Sequence, residues 1–260
     1  MIIAVFPGQG SQTPGFLTPW LELDGARERL AAYSEQAGVD LIAAGTEWDA
    51  DRIRDTSVAQ PLIVAASLLS WSALTQRSGS AVAGVAGHSV GEIAALAASG
   101  VLTEDDALRL VGLRGRAMAE AAAVTETGMS AVVGGDEAVV LERLEALGLT
   151  PANYNGGGQI VAAGELPALA ELAAEAPRGA RVIPLQVAGA FHTRFMEPAV
   201  ERRCVRQLPV SRCPTRVSPS GPTPTVPSSP RGAALSTSSS RRSRRPCAGI
   251  AAWLRSPSRA

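Results

Sequence analysis

The sequence predicts a layered α/β fold with a parallel sheet, because short apolar runs that suit buried strands alternate with longer segments of helical spacing. The runs Ile2–Phe6 and Ala81–Ala86 are short, apolar and followed by Gly-containing turns, as expected for buried parallel strands. Between them, residues 25–37 and 60–74 are rich in Ala and Leu at helical spacing, and Pro61 opens the second segment at a first-turn position. Strands that alternate with helices in this way are typical of an α/β domain.

A second, smaller unit is predicted from the change of pattern after residue 127. In chain order the pattern gives a strand, a helix, a strand, a helix and a strand: SAVVGG, residues 137–147, QIVAAG, residues 166–176 and residues 180–187. This order indicates a ferredoxin-like α+β subdomain of split βαβ type, inserted into the larger domain. We therefore expect a large α/β domain from residues 1–127 and 188–201, with the small subdomain at 128–187.

The segment from residue 202 to 260 differs in composition from the rest of the chain. Residues 1–201 contain all 24 Asp and Glu together with 12 Arg, whereas residues 202–260 contain 12 Arg and no acidic residue. This segment is rich in Pro and Ser, has no lasting helical or strand period, and like the whole chain lacks Lys. We interpret it as a disordered tail or as an out-of-frame translation of a GC-rich gene. A nucleic-acid-binding arm is the alternative.

The composition of the chain is that of a globular protein. Its 260 residues are 46% hydrophobic, enough to fill the core of one large domain with a smaller one inserted. The N-terminal MIIAVFPGQG has no basic segment and only a short apolar run, which does not suit a signal peptide or a membrane span. All three Cys follow residue 201, so no disulfide framework is expected before that point. We expect a cytoplasmic protein.

A candidate nucleophile lies in the segment GHSVG, residues 87–91. It fits the G-x-S-x-G pattern, in which a serine occupies a tight turn between a strand and a helix. A predicted strand precedes Ser89 and the helical segment EIAALAAS follows it, as the pattern requires. Free N–H groups at the start of that helix would face the serine, so the Val90 amide is a candidate oxyanion donor. The alternative is a serine at an ordinary strand-to-helix turn.

A nucleophilic serine needs a base, and the chain has two histidines. His88 is a poor candidate, because adjacent residues on a sharp turn point in different directions. His192, in the segment GAFHTRF, remains by elimination. A lone histidine is more often structural, but the presence of Ser89 favours the catalytic interpretation.

An arginine lies on the apolar face of a predicted helix that begins after Thr103 and ends near Ala122. Arg114 falls in the middle of a stripe of apolar residues at helical spacing, namely Leu110, Val111, Ala117, Met118 and Ala121. A guanidinium in such a position is costly unless an anion meets it. The anion is either the carboxylate of a substrate or an Asp or Glu of the chain in a structural salt bridge.

Six segments in this order resemble the malonyl-CoA:acyl carrier protein transacylases and the related acyltransferase domains of polyketide synthases. They are PGQGSQ, DTSVAQPL, GHSVGE, LRGRAM, NYNGGGQIVAAG and VAGAFHT. The likeness covers about residues 1–200 and stops where the composition changes. It implies that the parallel sheet belongs to a hydrolase-like large domain.

The resemblance also implies catalytic roles. Ser89 corresponds to the nucleophile that takes the malonyl group, and His192 corresponds to its base. The backbone amides of Gln9 and Val90 match the positions that form the oxyanion hole.

Four further residues correspond to the substrate pocket. Arg114 matches the arginine that pairs with the free carboxylate of malonate. Gln60 and Asn155 resemble other pocket positions, and Phe191 looks like the malonyl-selecting version of its motif. The resemblance therefore gives Arg114 an anionic partner, the carboxylate of the substrate.

The activity implied by the resemblance is ping-pong acyl transfer. Malonyl-CoA would acylate Ser89, and the phosphopantetheine thiol of acyl carrier protein would then take the malonyl group, in fatty acid or polyketide biosynthesis. The resemblance implies no metal, no redox cofactor, no nucleic-acid or membrane partner, and a monomer.

The chain departs from the family pattern after Glu201. Family members continue well beyond the His192 motif, with a glutamine that helps to orient the histidine and with later elements of the large domain, and none of these is recognisable here. We therefore expect activity to be impaired. A serine esterase or thioesterase is the second function class, since the serine turn is shared, and a non-catalytic truncated binding protein is the third.

Overall fold

The structure is a computed structural model, and it describes residues 2–78 and 82–200. The predictions made for residues 202–260 lie outside the described residues.

The first half of the chain places one pair of parallel strands among five helices. Strand β1 (Ile3–Phe6) pairs in parallel with β2 (Gly84–Gly87), so that Ile3 lies opposite Gly84 and Phe6 opposite Gly87. The helices are α1 (Ala26–Ala37), α2 (Leu41–Thr46) and α3 (Thr56–Ser78) between the strands, then α4 (Gly91–Ala98) and α5 (Glu104–Ala122) after them. The predicted mixed α/β class is confirmed. In the described part of the chain the parallel sheet consists of these two strands.

Helix α3 is the longest helix of the fold and runs through its core. It begins four residues before the predicted start, so Pro61 lies inside the helix and not in its first turn. Because Pro61 is still close to the helix start, the missing N–H removes only one early hydrogen bond. By length and composition Thr56–Arg77 could cross a membrane, but 56% of the apolar window is buried inside the protein. A core helix that is apolar all round passes the same test.

Helix α5 carries the predicted apolar stripe. Thr103 caps its N-terminus by accepting a hydrogen bond from the Asp106 amide at 3.1 Å, as expected for an N-cap threonine. The residues of the stripe are buried: Leu110, Val111, Ala117, Met118 and Ala121. Arg114 is half-buried on this helix.

The second half of the chain forms a four-stranded antiparallel sheet. Its elements are β3 (Thr127–Gly134), α6 (Glu137–Ala146), β4 (Thr150–Gly156), β5 (Gln159–Glu165), α7 (Leu166–Ala174) and β6 (Ala180–Pro184). The strand order is β4-β5-β3-β6, and α6 and α7 pack on one face. A βαββαβ order of this kind is called ferredoxin-like. The domain boundaries at residues 128 and 188 stay predictions.

Strand β4 was not among the predicted strands. Its sequence TPANYNG contains Pro, Gly and two Asn, which are depleted in strands. It lies at the sheet edge, pairs with β5 alone and has two register irregularities, and an edge strand tolerates proline. Strand β6 also ends at Pro184, three residues before the predicted end, so the chain enters the segment of His192 without regular structure.

A hydrophobic cluster connects the two halves of the chain. It joins α5 to the uncovered face of the antiparallel sheet and to the segment that follows β6, through residues that include Met118, Met129, Val161, Phe191 and Met196. The carboxyl end of β2 and the segment after β6 meet beside this cluster, where the candidate site lies.

Candidate active site

Ser89 lies on the turn between β2 and α4. Its φ angle is +52°, in the left-handed region, where a residue other than glycine is strained. Gly91 makes the turn possible, because a Cβ at this position would lie 2.4 Å from the Phe6 carbonyl oxygen. The close approach of β1 to the start of α4 therefore explains why a glycine, Gly91, lies two residues after Ser89.

His192 provides the partner of Ser89. Its Nε2 atom lies 3.0 Å from Ser89 Oγ, across 103 residues of sequence. His192 also has a left-handed φ, +60°, and these two are the residues other than glycine with positive φ in the described chain. Strain of this kind is typical of functional sites. The structure therefore brings together the predicted nucleophile and the predicted base.

His88 does not bond to Ser89. Its ring lies against Gly8, where an added Cβ would be 2.5 Å from His88 Nδ1. The hydrogen bond of Ser89 goes to His192. The geometry thus favours the assignment made by elimination from the sequence.

The surroundings of His192 favour its neutral imidazole. Although the residue is exposed, desolvation by the atoms packed around the ring, followed by the positive charge of Arg114 and the proximity of His88, lowers the pKa of His192 from 6.5 to about 4. A neutral ring has one nitrogen that can accept the serine proton. Among residues 2–78 and 82–200 the ring has no hydrogen-bond partner other than Ser89.

The pH dependence of acylation should reflect this low pKa. We expect kcat/KM for acylation of Ser89 to rise with pH through a midpoint near 4, because only the neutral form of His192 accepts a proton. The measurement is the rate of adduct formation between pH 3 and 8, a range chosen to span the ordinary histidine pKa of about 6.5. A midpoint near 6.5 would contradict the expectation and place the imidazole in a water-like environment.

All eight predicted site residues line one cleft of about 210 Å³. They are Gln9, Gln60, Ser89, Val90, Arg114, Asn155, Phe191 and His192. Asn155 comes from β4, where its amide donates to Gln159 Oε1 at 2.8 Å, and Phe191 is buried beside His192. The structure therefore gathers every one of these residues, and the role of each stays a prediction.

The cleft contains an ordered arginine. Arg114 Nη1 donates to Gln60 Oε1 at 2.6 Å, and Gln60 Nε2 contacts Met118 Sδ at 3.3 Å. Gln60 is 1% exposed, so these contacts fix the orientation of its amide.

Glu92 lies near the guanidinium of Arg114. Burial raises the pKa of Glu92, and the charge of Arg114 opposes that rise.

Two backbone amides are available near the serine. Neither the Gln9 amide nor the Val90 amide donates to a group within the described residues. The Gln9 side chain is directed away, toward Arg54 O at 3.4 Å and Thr56 Oγ1 at 3.5 Å. The Val90 amide lies at the start of α4, a position at which an amide can bind an oxyanion, and the Gln9 amide lies in the loop after β1.

Sequence reasoning missed part of the cleft wall. The additional lining residues are mostly apolar and come from α5, the antiparallel sheet and the segment after β6: Met118, Met129, Asn153, Val161, Leu185 and Val187. Asn153 lies two residues before Asn155, and this spacing places both side chains on one face of a strand. The sequence did not indicate this because β4 was not predicted.

In the described ranges there is no group of three or more His, Cys, Asp or Glu placed to hold a metal ion.

The fold and the geometry define the class. A strained serine between a parallel strand and a helix, bonded to a distant histidine in one cleft, is the arrangement of an α/β protein with a serine–histidine pair.

Comparison with known proteins gives the family. A model of the acyl transferase domain matches residues 3–230. The malonyl CoA-acyl carrier protein transacylase of Mycobacterium tuberculosis strain H37Rv is 54% identical over 205 residues, which cover 77% of this chain and 67% of that protein. The protein of the same name from Escherichia coli K12 is 36% identical over 208 residues, with the same shares covered. The chain belongs to the acyl transferase domain family.

Solved structures agree with this assignment. The crystal structure of MCAT from Mycobacterium tuberculosis superposes with a TM-score of 0.74 at 57% identity, covering 77% of this chain and 67% of that one. A complex described as a type II PKS acyl-carrier protein with its malonyl-transacylase gives a TM-score of 0.69 at 33% identity, covering 76% and 67%. The chain thus matches about two thirds of the length of these relatives.

Proposed function

We propose that this chain transfers a malonyl group from malonyl-CoA to the phosphopantetheine thiol of acyl carrier protein, through a malonyl ester of Ser89. The observation that carries the proposal is the 3.0 Å contact between Ser89 Oγ and His192 Nε2 in a cleft that also holds Arg114. The relatives named malonyl CoA-acyl carrier protein transacylase support the donor and acceptor.

Acylation would begin with the neutral imidazole. Ser89 Oγ attacks the thioester carbonyl while His192 Nε2 takes the hydroxyl proton. The Gln9 and Val90 amides would donate to the oxygen of the tetrahedral intermediate. The C–S bond then breaks, the coenzyme A thiolate takes the proton from His192, and malonyl-Ser89 remains.

Transfer to the carrier would run the same steps in reverse. The phosphopantetheine thiol gives its proton to His192 and attacks the ester carbonyl, after which the C–O bond breaks and Ser89 regains its proton. A complex between a related transacylase and an acyl-carrier protein supports this partner. We propose that the reaction uses no metal or redox cofactor and that the chain acts as a cytoplasmic monomer.

Arg114 would select the acyl group. Its guanidinium suits the planar carboxylate of malonate, and Gln60 holds it from the buried side. Asn155 and Phe191 would complete the pocket around the acyl group.

The test is the mass of the intact 260-residue chain after brief exposure to malonyl-CoA. We expect one malonyl adduct per chain, which disappears when acyl carrier protein bearing phosphopantetheine is added and reappears on that carrier. Hydrolysis of simple neutral esters without a malonyl adduct would instead indicate an esterase. A folded chain that shows neither would be a non-catalytic member of the family.

A further inference from the structure

The segment that carries His192 has no regular secondary structure between β6 and the short 3-10 helix Arg194–Met196. A base that must lie within hydrogen-bond distance of Ser89 needs a fixed position. Within the described chain, the imidazole receives no hydrogen bond that would orient it from behind. Its position must therefore come from the backbone that bears it.

That backbone is held at Ala190, two residues before His192. The Ala190 amide donates to Thr127 Oγ1 at 3.0 Å, and the Ala190 carbonyl accepts from Thr193 Oγ1 at 2.6 Å. Ala190 is 0% exposed and Thr127 is 5% exposed, so water cannot replace the first of these bonds. Thr193 belongs to the segment itself, whereas Thr127 begins strand β3.

At the start of the segment the Leu185 amide donates to the Met129 carbonyl of β3 at 2.9 Å, seven residues before His192. Closer to His192, the Phe191 amide donates within the segment, to the Gly189 carbonyl at 3.0 Å, and the remaining contacts to other elements are apolar. A Cβ at Gly189 would lie 2.8 Å from the Ala122 side chain, and Phe191 is buried in the cluster beside α5. Such contacts resist separation but do not fix direction, because dispersion and burial are not directional. The bond from Ala190 to Thr127 is directional and joins residues that are 63 positions apart.

We infer that Thr127 is a positioning residue for His192, which holds the catalytic segment at Ala190 so that the imidazole meets Ser89. The left-handed backbone of His192 needs such support, because a strained conformation persists only when its surroundings determine it. The inference rests on the proposed function of the Ser89–His192 pair, but not on malonyl recognition.

The experiment measures labelling of Ser89 by diisopropyl fluorophosphate, which reports activation of the serine without using malonyl-CoA. Intact mass gives the labelling rate of the full chain and of four variants: Thr127→Val, Thr127→Ser, Ser130→Ala and His192→Ala. Valine keeps the volume and removes the acceptor, whereas serine keeps the acceptor. Ser130 is also buried on β3 and serves as the matched control. Thermal unfolding of each variant monitors stability.

We expect Thr127→Val to label about 10- to 100-fold more slowly than the unchanged chain, because small misplacement of a reacting group has effects of this size. Thr127→Ser and Ser130→Ala should label at nearly the unchanged rate. In Thr127→Val the pH midpoint of labelling should also rise toward 6.5, as the imidazole moves into water.

Two results would overturn the inference. One is a Thr127→Val chain that labels as fast as the unchanged chain, and the other is an unchanged chain that labels no faster than His192→Ala. If Thr127→Val does not fold, Thr127→Ala compared with Thr127→Ser makes the same test. A chain that labels at Ser89 but takes no malonyl group would contradict the proposed function and leave the inference on Thr127 standing.

Discussion

Replacing Ser89 with alanine will abolish the malonyl adduct on this chain. The ester can form only at a nucleophile that loses its proton to His192, and alanine has none. Loss of a nucleophile of this kind removes about six orders of magnitude of rate, far below what a brief exposure can detect. Mass spectrometry of the intact chain, followed by identification of the modified peptide, is the measurement.

Ser99→Ala is the control for this variant. Ser99 also belongs to the region of α4, but it lies at the other end of that helix and bonds to Leu96 O at 3.0 Å. Its adduct should form at the unchanged rate. Alanine at position 89 keeps the backbone strain at φ +52° without new contacts, so Ser89→Ala should unfold at nearly the same temperature as the unchanged chain. An adduct that persists in Ser89→Ala would place the nucleophile elsewhere.

Local motifs were sufficient to predict Ser89, Val90 and Arg114, whereas Gln9, Gln60, Asn155 and Phe191 came from the family resemblance alone. The serine turn, the cap at Thr103 and the apolar stripe of α5 are all set by residues close in sequence, and the structure has each of them. The pairing of Ser89 with His192 spans 103 residues, yet it was accessible by elimination because the chain has only two histidines. Because histidine is so rare in this chain, the base could be identified without knowing the distance between the two residues.

Long-range packing decided what the sequence could not predict. Strand β4 has the composition of a loop and forms only because β5 supplies its hydrogen-bond partners. The contact of Thr127 with Ala190 depends on how β3 meets the segment after β6, which no local pattern encodes. Helix α3 extends beyond its predicted ends because burial in the core outweighs the weak local signal at Thr56.

Replacing Arg114 with glutamine will change the choice between acyl groups more than it changes the reactivity of Ser89. We expect acylation by malonyl-CoA to fall roughly a hundredfold, because losing one partner of a buried charge pair costs about 3 kcal/mol. Acylation by acetyl-CoA, which has no carboxylate for the guanidinium to bind, should change little. The two acylation rates, measured by intact mass at equal donor concentration, give the selectivity directly.

Arg116→Gln is the matched control for Arg114→Gln. Arg116 lies two residues further along α5, but its Nη1 donates to the Ala37 carbonyl at 2.8 Å on the side of α1. The change removes the same charge from the same helix and should leave the malonyl-to-acetyl ratio unaltered. Equal losses with both donors in Arg114→Gln would support the structural interpretation of Arg114.

The pH profile separates two effects of the same charge. Arg114 lowers the pKa of His192, so its removal should raise that pKa and move the acid limb of acylation to higher pH. This shift acts on the base and therefore affects malonyl-CoA and acetyl-CoA alike. The loss of carboxylate binding affects malonyl-CoA alone and persists well above the limb, where His192 is neutral in both proteins. A malonyl-to-acetyl ratio that is unaltered at every pH, with both acylation rates recovering above the acid limb, would show that Arg114 acts through His192 and not on the substrate.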